Sequence, residues 1–151
     1  MIDVVDKQTR SRMMSAVKGK NTAPELRVRR YLHKEGFRFR LHRNDLPGSP
    51  DLVLPKYHLV IFVHGCFWHQ HPNCRYAAMP ATHNRFWSKK LEDNSKRDLM
   101  QVDELINAGW RVLVVWECGL KHCNEQIDQI LPFLTGDTSF MIWPNTPPKS
   151  V

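Results

Sequence analysis

The sequence contains no apolar run approaching the ~20 residues that span a bilayer. Its opening stretch, MIDVVDKQTR, lacks the apolar core of a signal peptide. Together these absences exclude an integral membrane helix and a secreted precursor. A soluble cytoplasmic protein is expected, nucleoid-associated in a bacterium. There is no internal repeat, which excludes solenoids and blade arrays. Cysteine is sparse: Cys66, Cys74, Cys118 and Cys123 are the full set. In a cytosolic chain that number favours metal binding over a disulfide framework. Acidic residues are scarce in the first third. Residues 1–43 carry 12 Lys and Arg against 4 Asp and Glu, a net of +8. The other 108 residues carry 10 basic and 11 acidic groups, a net of −1, so the overall +7 resides in that first third. Such asymmetry suits a phosphate-binding face, because each neutralised phosphate releases condensed counterions.

What is present describes one globular domain. A chain of 151 residues, 42% hydrophobic and 25% charged, can bury a proper core. Residues 1–20 have weak periodicity and carry Lys7, Arg10, Arg12, Lys18 and Lys20, as expected of a basic arm that orders on DNA. Asn21 to Glu25 reads as a helix start, with Asn21 or Thr22 as cap, Pro24 in the first turn and Glu25 at the positive helix end. Gly36 stops that helix. Phe37, Phe39 and Leu41 alternate with Arg38, Arg40 and His42, the pattern of a strand with one basic face.

Leu46-Pro47-Gly48-Ser49-Pro50 is a turn, Asp51 to Leu54 a short strand, and Leu59 to Val63 a central strand buried on both faces. From His64 to Pro80 periodicity gives way to His, Cys and aromatics. Residues from about Phe86 to Ala108 read as a long helix, Trp110 to Trp116 as a second buried strand, and Gln126 to Leu134 as a final helix. The predicted order α-β-β-β-α-β-α gives a mixed central sheet flanked by helices. The domain plan is a basic arm over 1–20, a catalytic domain over 21–135 with a zinc loop over 64–80, and a Pro-rich tail over 136–151 that need not pack.

Two clusters carry chemistry. Cys66, His71 and Cys74, with Cys118 distant, supply three sulfurs and an imidazole, a set zinc favours in structural sites. His69, His83, His122 and Cys123 compete as ligands. A metal here would staple the irregular loop to the end of the strand that closes at Trp116-Glu117. Separately, Asp51 opens a strand whose neighbour runs through residues 62–64. A carboxylate there, with a backbone carbonyl opposite, suits magnesium, which wants hard oxygen ligands. Glu25 can approach from the first helix. His69 is a candidate general base, and Asp98 on the long helix a group to orient it.

Four strings carry a resemblance: DKQTRSRMMSAVKGKNTAPE, LPGSPDLVLPKY, VIFVHGCFWHQH and GWRVLVVWECGL. They resemble the very-short-patch repair (Vsr-type) endonucleases from about Asp6 to Leu120, and HGCFWH is highly specific. Pro50-Asp51 followed by a strand is similar to the wider PD-(D/E)xK superfamily, but where its E-x-K would fall this chain has Phe62-Val63-His64. The resemblance implies a restriction-endonuclease-like fold with a structural zinc site. It implies a magnesium-dependent endonuclease nicking double-stranded DNA 5′ to the thymine of a T:G mismatch.

Carried over by motif, Asp51 and the Val63 carbonyl bind magnesium, and Glu25 and His64 act through metal-bound water. His69 is the base, supported by Asp98. Cys66, His71, Cys74 and Cys118 bind zinc, and Phe67, Trp68 and Trp87 intercalate into DNA. No membrane partner is expected, and one nick needs one site, so a monomer is expected. The competing readings are a non-catalytic zinc-containing DNA-binding module, a restriction-type nuclease on matched DNA, and a zinc hydrolase of small substrates.

Overall fold

A computed structural model of the chain describes residues 21–148; the basic arm expected at 1–20 lies outside them. The chain divides into two compact units, residues 1–37 and 38–151.

The described part of the first unit is helix α1 (Ala23–Lys34). Thr22 caps it as expected: its hydroxyl accepts the Glu25 amide at 3.4 Å. Glu25 in turn accepts the Asn21 amide on Oε2 at 3.1 Å, so one orphan donor of the helix start and the amide just before the cap are both satisfied. The same carboxylate pairs with Arg29 one turn on. Gly36, at φ +90°, takes the left-handed turn that ends the helix.

The second unit is built on a five-stranded sheet in the spatial order β1 (Arg40–Leu41), β2 (Leu52–Leu54), β3 (Leu59–His64), β4 (Arg111–Trp116), β5 (Phe140–Trp143). The first two pairings are antiparallel and the last two parallel. β3 and β4 lie at the centre and are apolar almost throughout, as strands covered on both faces must be. The long crossover from β3 to β4 carries helix α2 (Asn84–Asn107). Leu91, Asp98, Val102 and Leu105 recur at helical spacing, so they share one face. Val102, Leu105 and Ile106 pack against Val53, Val60, Phe62, Val112, Val114 and Trp116 of the sheet. An acid placed on that apolar stripe, Asp98, must have a polar partner.

Three differences from the sequence reading have local causes. The basic-faced strand shrinks to two residues, and Leu41 is exposed. Its partner β2 is confined between Pro50 and Pro55, which cannot donate to a ladder, so there is little backbone to pair with. The final helix becomes a 3-10 segment (Asn124–Ile130) followed by α4 (Leu131–Thr135); Pro132 cannot continue an α-helix begun a turn earlier, because its ring meets the carbonyl four residues back. The Pro-rich tail, which the sequence did not require to pack, supplies β5, with Trp143 fully buried and its indole donating to Gln129 at 3.1 Å. Parallel pairing with the open edge of β4 outweighs the prolines on either side. A short helix, α3 (Glu117–His122), also follows β4 unannounced and carries Cys118. Among the described residues no helix is long and apolar enough to cross a membrane.

Candidate active site and metal cluster

Strand β3 ends at His64, and the loop that follows alternates its useful residues between two clusters. The first begins at Asp51. Gly48 and Ser49 both hold positive φ, +76° and +45°, in the turn that delivers Pro50-Asp51. A Cβ on Gly48 would stand 2.8 Å from the Gln101 side chain and 3.1 Å from the Phe62 ring, so only glycine lets the turn lie this close. Asp51 Oδ2 then accepts the Val63 amide at 2.7 Å, a charge-assisted bond worth roughly 1.5–3 kcal/mol. An extended residue points its N–H and C=O to the same strand edge. The Val63 carbonyl therefore also faces the Asp51 side.

One residue further, His64 is buried, and its Nδ1 has no hydrogen-bond partner. Burial, with His69 and His71 close by, drives its pKa well below the ordinary imidazole value, so it stays neutral. His69 stacks on it face to face at 3.8 Å and 6°. His69 Nδ1 lies 2.6 Å from Asp98 Oδ2. The contact explains the acid on the apolar stripe of α2. His64, His69 and Asp98 have ligand atoms close enough to hold a metal. We read them otherwise: nearly parallel imidazoles have parallel lone pairs, which do not converge on one ion. With Nδ1–H given to the carboxylate, His69 keeps its lone pair on Nε2, the arrangement of an oriented base. Glu25 lies in the first unit, on α1, with the partners given above.

The second cluster gathers Cys66, His71, Cys74 and Cys118, with all four ligand atoms within 4.8 Å of one another. His71 Nδ1 is 3.4 Å from Cys118 Sγ and 3.7 Å from Cys66 Sγ. Zinc bonds of 2.3 Å to sulfur and 2.0–2.1 Å to nitrogen in a tetrahedron separate S and N by about 3.5 Å, so the spacing fits such an ion. A hydrogen bond from Cys118 lowers the Cys66 thiol to about 6, while Cys118 itself is raised by that same contact. The His71 ring lies flat on Trp116 at 4.1 Å. Of the competing ligands, His69 is taken by Asp98 and His122 by Tyr76; among the described residues neither His83 nor Cys123 joins the cluster.

The third group is aromatic. Phe67, Trp68 and Trp87 meet with centroids 5.1–5.8 Å apart, edges against faces. They are half-buried, so they are not core residues.

The chain has known relatives. The DNA mismatch endonuclease Vsr family model matches residues 2–75. DNA mismatch endonuclease Vsr of Escherichia coli (strain K12) is 44% identical over 131 residues, covering 87% of this chain and 83% of that protein. This chain belongs to the Vsr family of DNA mismatch endonucleases. Type II nicking enzyme V.XorIIP of Xanthomonas oryzae pv. oryzae is 50% identical over 120 residues, 80% of this chain and 88% of its own. Type II nicking enzyme V.NmeAIP of Neisseria meningitidis is 39% identical over 134 residues, 87% and 95% of the two chains. The Vsr-family chain is thus a DNA-cleaving nuclease, and its α/β sheet suits that role.

Sequence reasoning missed several residues that hold this Vsr-family site together. Asn94 donates to the Trp68 carbonyl at 3.1 Å and Ser95 to the His69 carbonyl at 3.3 Å, pinning the loop to α2. Gln70, at φ +50°, donates to the Phe67 and Ala77 carbonyls. Phe86 stands 60% exposed, its ring edge-on to Trp87. The signal for Asn94 and Ser95 was available: they are polar residues on the same helix stripe as Leu91 and Asp98.

Proposed function

We propose that this nuclease nicks one strand of double-stranded DNA 5′ to the thymine of a T:G mismatch, with magnesium at Asp51 and zinc in the cysteine cluster. The observation that carries the reading is the pairing of Asp51 on the Val63 amide with an oriented His69–Asp98 dyad next door. Asp51 and the Val63 carbonyl offer hard oxygens, and the ion they hold supplies charge stabilisation at the scissile phosphate. His69 Nε2 takes the proton of the attacking water, and Asp98 fixes the ring and steadies the imidazolium. His64, neutral and buried, walls the base on one face and offers nitrogen to ordered water. Glu25 is assigned to the same water network. Cys66, His71, Cys74 and Cys118 hold zinc as a brace and take no part in bond breaking.

Phe67, Trp68 and Trp87 form the wedge. An apolar blade between base pairs unstacks them and bends the duplex, and a mismatched step opens more cheaply than a paired one. The wedge therefore supports mismatch preference by itself. The enzyme works as a monomer.

The experiment is strand-specific nicking of end-labelled T:G and fully paired duplexes, with and without magnesium. A single nick 5′ to the mismatched thymine, dependent on magnesium, is expected. Cutting of both strands of paired DNA at equal rate would point to a restriction-type enzyme instead. Binding without any cleavage would leave only a DNA-binding module.

A further inference from the structure

Beside the cysteine cluster lies a group of side chains that the cleavage reaction does not use. Arg75 and Tyr76 directly follow Cys74, and Lys121 and His122 sit at the end of the short helix that carries Cys118. The Tyr76 ring is half-buried and packs on the core around Cys66, Cys118 and Trp116. Its hydroxyl accepts from Arg75 Nη2 at 2.9 Å and meets His122 Nε2 at 2.6 Å. The Arg75 guanidinium and the Lys121 ammonium each stand 4.8 Å from the ring centroid. The His122 ring lies nearly parallel to it. One carboxylate answers these charges, Glu117, 3.5 Å from Lys121.

Two permanent cations and an imidazole gathered on one phenol repel one another. Their assembly is favoured where an anion is to be met. Arg75, Lys121 and His122 are all exposed, so the charges face solvent. The same ligand cluster fixes this platform and the loop bearing Phe67 and Trp68. A duplex seated on that loop thus meets a basic surface in set register with it.

We propose that Arg75 and Lys121, held on Tyr76, bind the phosphodiester backbone of DNA as a contact separate from the cleavage centre. This rests on the nuclease acting on DNA and not on its preference for T:G. Backbone contacts carry no sequence information, so they strengthen matched and mismatched complexes alike.

The test measures affinity for labelled matched and T:G duplexes between 50 and 200 mM salt. The probes are the wild type, the double variant Arg75→Gln with Lys121→Gln, and Lys56→Gln. Lys56 lies in the turn between β2 and β3, at the opposite end of those strands from Asp51 and His64. Losing two phosphate contacts lowers the slope of log K against log salt by about 1.8. The deficit against wild type then shrinks roughly tenfold across that range. The same change is expected on both duplexes, with bound metal per chain unaltered and Lys56→Gln keeping the wild-type slope. Should the double variant fail to fold, Lys121→Gln alone removes one exposed ammonium and is expected to lower the slope by about 0.9. A wild-type slope in either of these variants, or an equal drop in Lys56→Gln, overturns the proposal. A wild type that neither binds nor nicks DNA would instead sink the nuclease reading itself.

Discussion

The two clusters beside β3 draw on the same short stretch of chain, yet differ in almost every chemical respect. His64 and His69 belong to one cluster; Cys66 and His71, each two residues further on, belong to the other. The first pair joins Asp98 from α2, and the second joins Cys74 and Cys118. Histidine and carboxylate in the first suit proton transfer; three sulfurs in the second suit a soft, permanent ion that tolerates no turnover. The contrast teaches that one short loop is tied at two points, by the sulfur cluster and by the contact of His69 with Asp98. On the proposed reading, stiffness and reactivity are divided between these neighbours.

That division can be broken experimentally. The largest effect is expected from Asp51→Ala. Losing several kcal/mol of charge stabilisation lowers the nicking rate by roughly 10³-fold or more, while the lost bond to the Val63 amide lowers the melting temperature by only several degrees. A variant that nicks at even a tenth of the wild-type rate would remove Asp51 from the reaction. Next comes His69→Ala, where loss of general-base catalysis costs about 10²–10⁴-fold in single-turnover rate. Asp98→Asn should cost less and should shift the pH–rate profile, because the ring keeps its place but loses its charged support. Equal losses with identical pH profiles would mean that Asp98 only packs.

Cys118→Ala is expected to act through stability instead. Removing a ligand of a structural metal belongs among the severe losses, on the order of 4 kcal/mol or more. Thermal unfolding with and without a chelator checks it. Dialysis against magnesium-free buffer should abolish nicking while leaving that transition in place. If nicking and the unfolding transition were both lost under either treatment, the two clusters would not be separable.

The smallest effect concerns His64. Its folded pKa is depressed by burial, so below the ordinary value near 6.5 the unfolded chain takes up a proton the folded chain refuses. Stability from this source is present above that value and falls as pH drops through it. His64→Phe should flatten the decline between about pH 7 and 5 in denaturant titrations. An unchanged decline would locate the proton uptake elsewhere.

Legibility in the sequence followed physics. The central strands β3 and β4 could be read because burial on both faces leaves an unbroken apolar run. Helix α1 could be read because Pro24 and Gly36 each have one natural place, with the cap left between Asn21 and Thr22 and taken by Thr22. The cysteine cluster was legible as a ligand set, since few other uses explain such density. Edges were harder to bound, because pairing depends on a partner far along the chain: β5 needed the vacant side of β4, and β1, expected over residues 37–42, was cut to two residues by the prolines around β2. Asn94 and Ser95 stood on the legible stripe of α2, but their partners, like those of Gln70, are backbone carbonyls, which no side-chain pattern records. Phe86 was overlooked beside Trp87 for a simpler reason: exposure is a property of the folded surface.

Gly119 follows Cys118, and a Cβ there would sit 2.5 Å from Pro144 and 2.8 Å from the Trp143 ring. The helix bearing the last sulfur ligand is thus pressed beneath the residues that close β5. On a ribosome, the loop ligands emerge long before either Cys118 or its cover. A nascent chain therefore holds an incomplete cluster until Cys118 and the residues that cover its helix have emerged.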